Sequence, residues 1–291
     1  MKFNRNKGQG LGNIVKGYSF PLLLSIIVVG VAGCAVSNTS GSSGGTTTTP
    51  TAPATDPYVN MSGNWQLNAT PTMGISPFSS LSGYVFEINV AAAAHQTTAS
   101  FLVASTGCFS GAGAVQLLGN VEQPLVSLTS FEVNNQVLTV TAQKDEAGDT
   151  LSGTYSVKGG CADGDTGTLT GTRYNNLTGT YAGDTQNDAT KGIGLSVTQA
   201  GGTGSGIFLM TGSATFSGFS CFTKGSLVAG GVSYISGSST TLVLNTNEGK
   251  SSQVTLIGTI DKSADTLSLS SIQVTGGACA GSYGPAALVT K

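Results

Sequence analysis

The sequence predicts an all-β chain made of two tandem repeats, and three observations carry that prediction. Apolar and polar residues alternate in short runs between Gly-, Asn- and Asp-rich turns spaced about ten residues apart. Thr and Val, which suit a pleated and half-buried surface, are abundant in those runs, and helical periodicity is lacking after residue 57. Short motifs also recur in the same order at a spacing near 116 residues. Charge narrows the function classes. Charged residues are only 9% of the 291 and the formal net charge is -2, so the basic footprint needed for phosphates is missing and nucleic acid is not an expected partner.

Residues 1–33 read as an export signal. Lys2, Arg5, Lys7 and Lys16 form a basic start with no acidic residue, followed by an apolar stretch over 20–31, short for a membrane span. Val31-Ala32-Gly33-Cys34 resembles the lipobox of bacterial lipoproteins. The resemblance implies cleavage before Cys34, diacylglycerol on its sulfur and an acylated new terminus. Acyl chains gain roughly 0.8 kcal/mol per buried methylene, so the membrane becomes the expected partner through this lipid anchor. Residue 35 is Ala rather than Asp, which by similarity to enterobacterial sorting implies the outer membrane.

Residues 34–57 follow as the lipidated Cys and a Ser/Thr/Gly linker. With almost no large apolar side chain, this stretch cannot offset the entropy of ordering and is expected to act as a spacer. Signal removal takes four of the twelve basic residues and none of the fourteen acidic ones, leaving the mature chain near -6.

The first repeat spans 58–174 and the second 175–291. Alternation is clearest over residues 84–90, 136–140, 241–244 and 253–257; the Ala run at 91–94 is too short for an independent helix. Asp149-Thr150-Leu151-Ser152 recurs as Asp265-Thr266-Leu267-Ser268, offset by 116, and Cys108-Phe109 as Cys221-Phe222, offset by 113. Cys161 and Cys279 both follow paired glycines and are offset by 118. Gly63-Asn64-Trp65 aligns with Gly179-Thr180-Tyr181, and Thr172-Arg173 with Thr290-Lys291. The Cys and aromatic matches are not products of a Gly/Ser/Thr-rich composition.

Duplication also orders the cysteines. With Cys34 reserved for lipid, four remain in an oxidising compartment, and three pairings are open to them. Equivalent positions should be bridged equivalently, which selects Cys108 with Cys161 and Cys221 with Cys279. These are expected to be structural bridges.

Each repeat has room for seven or eight strands, the size of a small up-and-down antiparallel barrel; a β-sandwich is the alternative. Short Gly/Ser-rich strands without aromatic girdles argue against a lipid-embedded barrel. Trp65, the only Trp, lies in the first expected strand, and Arg173, the only Arg after the signal, in the last strand of that repeat. Barrel closure makes those strands neighbours, and a guanidinium over the indole would add about 0.5–2 kcal/mol. Tyr181 and Lys291 are the expected counterpart pair. Replacing Trp65 with Ala is accordingly expected to loosen the first repeat alone. Gly63-Asn64-Trp65 with a late Arg173 resembles the calycin superfamily of lipocalins and avidins, over a few residues per repeat. That resemblance implies a calycin-like barrel and carries no biotin site, since a single Trp cannot form an aromatic cage. Lipobox, linker and Gly-Asn-Trp opening together are similar to secreted lipoproteins of soil bacteria such as acidobacteria.

The catalytic inventory is thin. His95 is the only imidazole and is expected to be an ordinary turn-exposed residue. Gly41-Ser42-Ser43-Gly44-Gly45 formally fits a nucleophile elbow but lies in the linker, not between a strand and a helix. Gly201-Gly202-Thr203-Gly204 precedes a strand, so it is not a phosphate loop. Asp145, Glu146 and Asp149 read as a hairpin tip, and Asp163 with Asp165 as a weak candidate for Ca²⁺, without the later ligands of an EF-hand. No cofactor is expected. These features point to a non-enzymatic envelope protein binding a small apolar ligand or an envelope component, or serving a structural or adhesive role. The alternative is a hydrolase of envelope glycans using paired carboxylates.

Overall fold

The computed structural model describes residues 60–73, 80–89, 95–104, 108–109, 113–122, 124–249 and 251–291, with backbone alone for 80–82 and 84–89. The export signal, Cys34, the linker and the Ala run at 91–94 lie outside the described residues.

Alternation becomes a barrel because every run presents its apolar set to one side. The strands are β1 (Gly63–Pro71), β2 (Ser80–Asn89), β3 (His95–Ala104), β4 (Val115–Glu122), β5 (Leu125–Ser130), β6 (Val137–Lys144), β7 (Thr150–Lys158) and β8 (Thr166–Tyr174). Each pairs antiparallel with the next, and β8 returns to β1, closing an eight-stranded barrel. On β5, Val126 and Leu128 are buried while Leu125, Ser127 and Thr129 face water. Trp65 fills the interior at 0% exposure, opposite Gly83. A Cβ on Gly83 would lie 2.0 Å from the Ser100 carbonyl oxygen, so glycine permits the tight coil of β2 over β3.

The second sheet repeats the plan with one strand broken. It comprises β9 (Gly179–Thr185), β10 (Asp188–Gly202), β11 (Phe208–Ser217), β12 (Lys224–Leu227), β13 (Tyr234–Ser236), β14 (Ser239–Thr246), β15 (Gln253–Ile260), β16 (Thr266–Thr275), β17 (Gly281–Ser282) and β18 (Ala286–Thr290). The order runs β10-β9-β18-β16-β15-β14-β12-β11, and β11 also bonds β10, so the pairings return to their start. Both β12 and β13 pair with β11 and β14, sharing one place in the ring. This curled sheet has ten strands, more than the seven or eight expected, because residues 228–233 split the fourth strand into β12 and β13 and the two-residue β17 adds a short pairing to β16. Its interior is a separate core around Tyr181, Leu195, Phe222, Leu242 and Leu256.

Both sheets are barrel-like, so the sandwich alternative falls. Each buries its apolar residues against its own far wall rather than against the other sheet. They nonetheless belong to one compact unit, Thr55–Lys291.

A polar joint connects them. The Asn64 side-chain amide donates to the Gly237 carbonyl and accepts from the Gly237 N–H, both at 2.7 Å, with Asn64 1% exposed. Gln66 Oε1 accepts from the Ser238 N–H at 3.2 Å and the Ser238 hydroxyl at 2.6 Å. The Ser100 hydroxyl donates to the Gly204 carbonyl at 2.9 Å, and Gln116 donates to the same oxygen. Gly206, at φ +73°, sits so close to β3 that a Cβ would lie 2.8 Å from the Leu102 nitrogen. Turns of the second sheet are thus seated on the outer face of β1, β3 and β4.

Candidate functional site

The two disulfides occupy equivalent places. Cys108 is bonded to Cys161 and Cys221 to Cys279. Each joins the segment after the third strand, β3 or β11, to the segment after β7 or β16. Sequence separations of 53 and 58 residues correspond to about 4 kcal/mol apiece in the chain-entropy account. Beneath the first bridge lies Gln136, fully buried, accepting from the Ala162 N–H at 2.9 Å and donating to the Cys108 carbonyl at 2.5 Å. The alternating run expected from residue 136 therefore starts as a strand at Val137, with Gln136 held in a bridge to Val133. In the second sheet Glu248 takes the comparable post, accepting from the Ala278 N–H at 2.8 Å, and its Oε2 is buried without a hydrogen-bond partner.

Beside Trp65, register decides what each pair does. Trp65 is directly opposite Arg173, so the two are neighbours across the closing seam. No cation–π stack joins them. Arg173 Nη2 and Nε bond Asp149 Oδ1 at 2.9 and 3.2 Å, and Nη1 bonds the Asn60 carbonyl at 2.8 Å. The indole N–H donates to the Met61 carbonyl at 2.8 Å. Residues 60–61 therefore strap that end of the barrel.

The expected Tyr181–Lys291 pair is not formed. Tyr181 stands opposite Thr290, and its hydroxyl donates to the Ala264 carbonyl at 2.8 Å. Thr290 N–H bonds the Asp265 carbonyl just as Arg173 N–H bonds that of Asp149, each at 2.9 Å. Thr290, not Lys291, is thus the structural equivalent of Arg173; a one-residue shift moves a side chain to the opposite face. Burial raises the Tyr181 phenol pKa, helped by the charges of Asp265 and Asp261.

The acidic clusters serve their own turns. Asp145 Oδ1 accepts from the N–H groups of Asp149 and Thr150, and Asp261 Oδ1 from that of Thr266. Burial pushes the Asp145 carboxyl up, but those backbone donors outweigh it and hold it below the usual range. At Asp261 the Thr266 N–H is the main cause of the same depression. Asp188, hydrogen-bonded by the Lys191 ammonium and by Thr190, is lowered to about 2. Asp163 accepts from the Gly159 N–H at 2.7 Å and Asp165 from the Tyr155 hydroxyl at 3.2 Å, so the two carboxylates turn to different partners. Among the described residues no group of three His, Cys, Asp or Glu is placed to hold a metal ion.

His95 is not turn-exposed. It is the first residue of β3, 8% exposed, and inward-facing with Val121 opposite. Lys144, 4% exposed, is also buried. The second sheet places apolar Phe208 and Ile260 at the equivalent positions, each in its core. The first barrel thus carries polar groups where the fold itself accepts hydrocarbon.

Where the sheets meet, Asp149 Oδ2 also reaches Lys262 Nζ at 3.5 Å, so one carboxylate serves a cation from each repeat. Next to this hub is a cleft of about 500 Å³ lined by Asn64, Arg173, Tyr174, Asn175, Asn176, Gln199 and Phe208, among others. Sequence reasoning singled out Arg173 for barrel closure but had no signal for the amides around it, which belong to no motif. Compared with known proteins, the chain matches no family model, no curated protein and no solved structure.

Proposed function

We propose that this is a non-enzymatic, lipid-anchored envelope protein, held at the outer membrane by acylated Cys34, that carries its double barrel on a Ser/Thr/Gly linker and acts through its outer surface. A lipoprotein with calycin-like barrels is the family-level form of this reading. The observation that carries it is the filling of both interiors by the chain's own side chains. Trp65, Phe101, Leu117 and Leu138 in one barrel, and Leu195, Leu242 and Leu256 in the other, are all 0% exposed, even to an internal water-sized opening. That packing favours a structural, adhesive or surface-binding role over an apolar ligand held inside. The glycan-hydrolase alternative draws no support from the four turn and joint carboxylates described above. Asp145, Asp261 and Asp163 are bound by turn N–H groups, and Asp149 is tied to two cations.

Metabolic labelling with palmitate tests the anchor. The wild-type chain should incorporate label and fractionate with outer membranes, and Cys34→Ala should do neither. Equal labelling of both would remove the anchor from the account.

A further inference from the structure

We propose that the cleft between the two barrels binds a short neutral saccharide. This deepens the surface-acting reading above, rests on it, and names the surface. The cleft's volume of about 500 Å³ suits a small ligand, and it lies at a junction of two folded bodies, where such sites concentrate.

Its polar groups are held at one end and open at the other. Asn175 Nδ2 donates to the Ser263 carbonyl at 3.3 Å, the Asn176 Oδ1 accepts from the Thr178 hydroxyl, and Gln199 Oε1 accepts from the Leu177 N–H at 2.9 Å. Each bond fixes a side chain, and the second atom of each amide, Asn175 Oδ1, Asn176 Nδ2 and Gln199 Nε2, has no hydrogen-bond partner among the described residues. The Tyr174 hydroxyl likewise has no hydrogen-bond partner among the described residues. Two donors, one acceptor and one hydroxyl that does both are the complement of sugar hydroxyls, which donate and accept in turn. Anchored side chains lose little freedom on binding.

Charge selects among polar ligands. The guanidinium in the cleft wall is already engaged by Asp149 at 2.9 Å, and no carboxylate is among the cleft's lining residues. A phosphate would find its cation taken, and an ammonium would find no anion. The half-buried Tyr174 is the aromatic side chain that the cleft wall offers to the C–H face of a sugar, while Phe208, 6% exposed, stays in the second core. Every hydrogen bond replaces one to water, so the dissociation constant is expected to be about 1 mM.

The test uses the full chain purified in detergent, with ¹⁵N-labelled Asn and Gln, titrated separately with maltose, cellobiose and diacetylchitobiose. Glucose 6-phosphate and glucosamine are the charged comparators. A neutral disaccharide should shift the side-chain NH₂ signals of Asn176 and Gln199. Tyr174→Phe should weaken binding about threefold to tenfold, and Gly201→Tyr about tenfold or more. Gly201 lines the cleft with no atom within 4 Å of a would-be Cβ, so a side chain can start there freely and a ring is expected to block the mouth. Unchanged Trp65 fluorescence together with unchanged far-UV circular dichroism, which reports both barrels, checks the fold of each variant. The proposal is overturned if no disaccharide shifts those signals, if only a charged sugar does, or if Gly201→Tyr binds as well as wild type. Palmitate labelling and ligand-free interiors would survive that outcome, so the two readings fail separately.

Discussion

Replacing Asn64 with Ala should weaken the joint that makes one body of two barrels. Its amide meets both polar groups of Gly237 at 2.7 Å, and Gly237 is itself buried. Truncation leaves a buried N–H and a buried carbonyl unpaired, at about 1–3 kcal/mol each, so the loss should be about 2–6 kcal/mol. The described joint contains six side-chain hydrogen bonds, which at about 1 kcal/mol net apiece gives a coupling on the order of 6 kcal/mol. The variant therefore removes a large share of it. Trp65 is the only Trp and lies in the first barrel, so its fluorescence reports that barrel, while far-UV circular dichroism reports both. In urea, wild type should show coincident transitions by the two probes, and Asn64→Ala should separate them. A loss below about 0.5 kcal/mol, typical of an ordinary surface substitution, would refute the reasoning. The joint also revises the expectation for Trp65→Ala: with the barrels coupled, the second should feel the loss as well.

Other consequences follow from single contacts. Gly206→Ala should reproduce the separated transitions without removing any hydrogen bond, because its Cβ would meet the Leu102 nitrogen at 2.8 Å; retained coincidence would show that β3 can give way. Gln136→Ala should cost about 1–3 kcal/mol by chemical denaturation, since the Ala162 N–H loses its partner while the Cys108 carbonyl keeps the Asn134 amide at 3.0 Å. Glu248→Gln should hold or raise the midpoint, because the bond to the Ala278 N–H can be kept while the unpartnered carboxylate oxygen is replaced. Asp145 and Asp261 are both depressed in the folded state, so their stabilisation is present above the unfolded value near 3.9 and is lost as pH falls through the folded one. The double variant Asp145→Asn/Asp261→Asn should be less stable at neutral pH and show a flatter loss of stability below about pH 4; an unchanged acid limb would remove these turns from that account.

Much of the architecture is legible in the sequence because its physics is local. Period-two alternation sets which face of each strand is buried, and Val126 and Leu128 lie inward as that pattern requires. The cysteines were readable because duplicated positions are bridged alike. Register was not: the drift of offsets between repeats hides a single residue, enough to put Thr290 rather than Lys291 opposite Tyr181. His95 was misread because its neighbours give no sign of burial, while the register places it beside Val121 inside the barrel. The joint and cleft were invisible for another reason. Asn64 and Gln66 bond backbone groups of Gly237 and Ser238 across more than 170 residues, and backbone partners leave no mark on composition.

The central claim is that filled barrels act from a lipid anchor through their surface. The most direct measurement is native mass spectrometry of the mature full chain taken from membranes in detergent, compared with the denatured mass. The account predicts an acylated Cys34, a mass about 4 Da below that of the reduced chain from two disulfides, and no small molecule retained in the native state. An unacylated terminus, or a stoichiometric apolar ligand released only on denaturation, would contradict it.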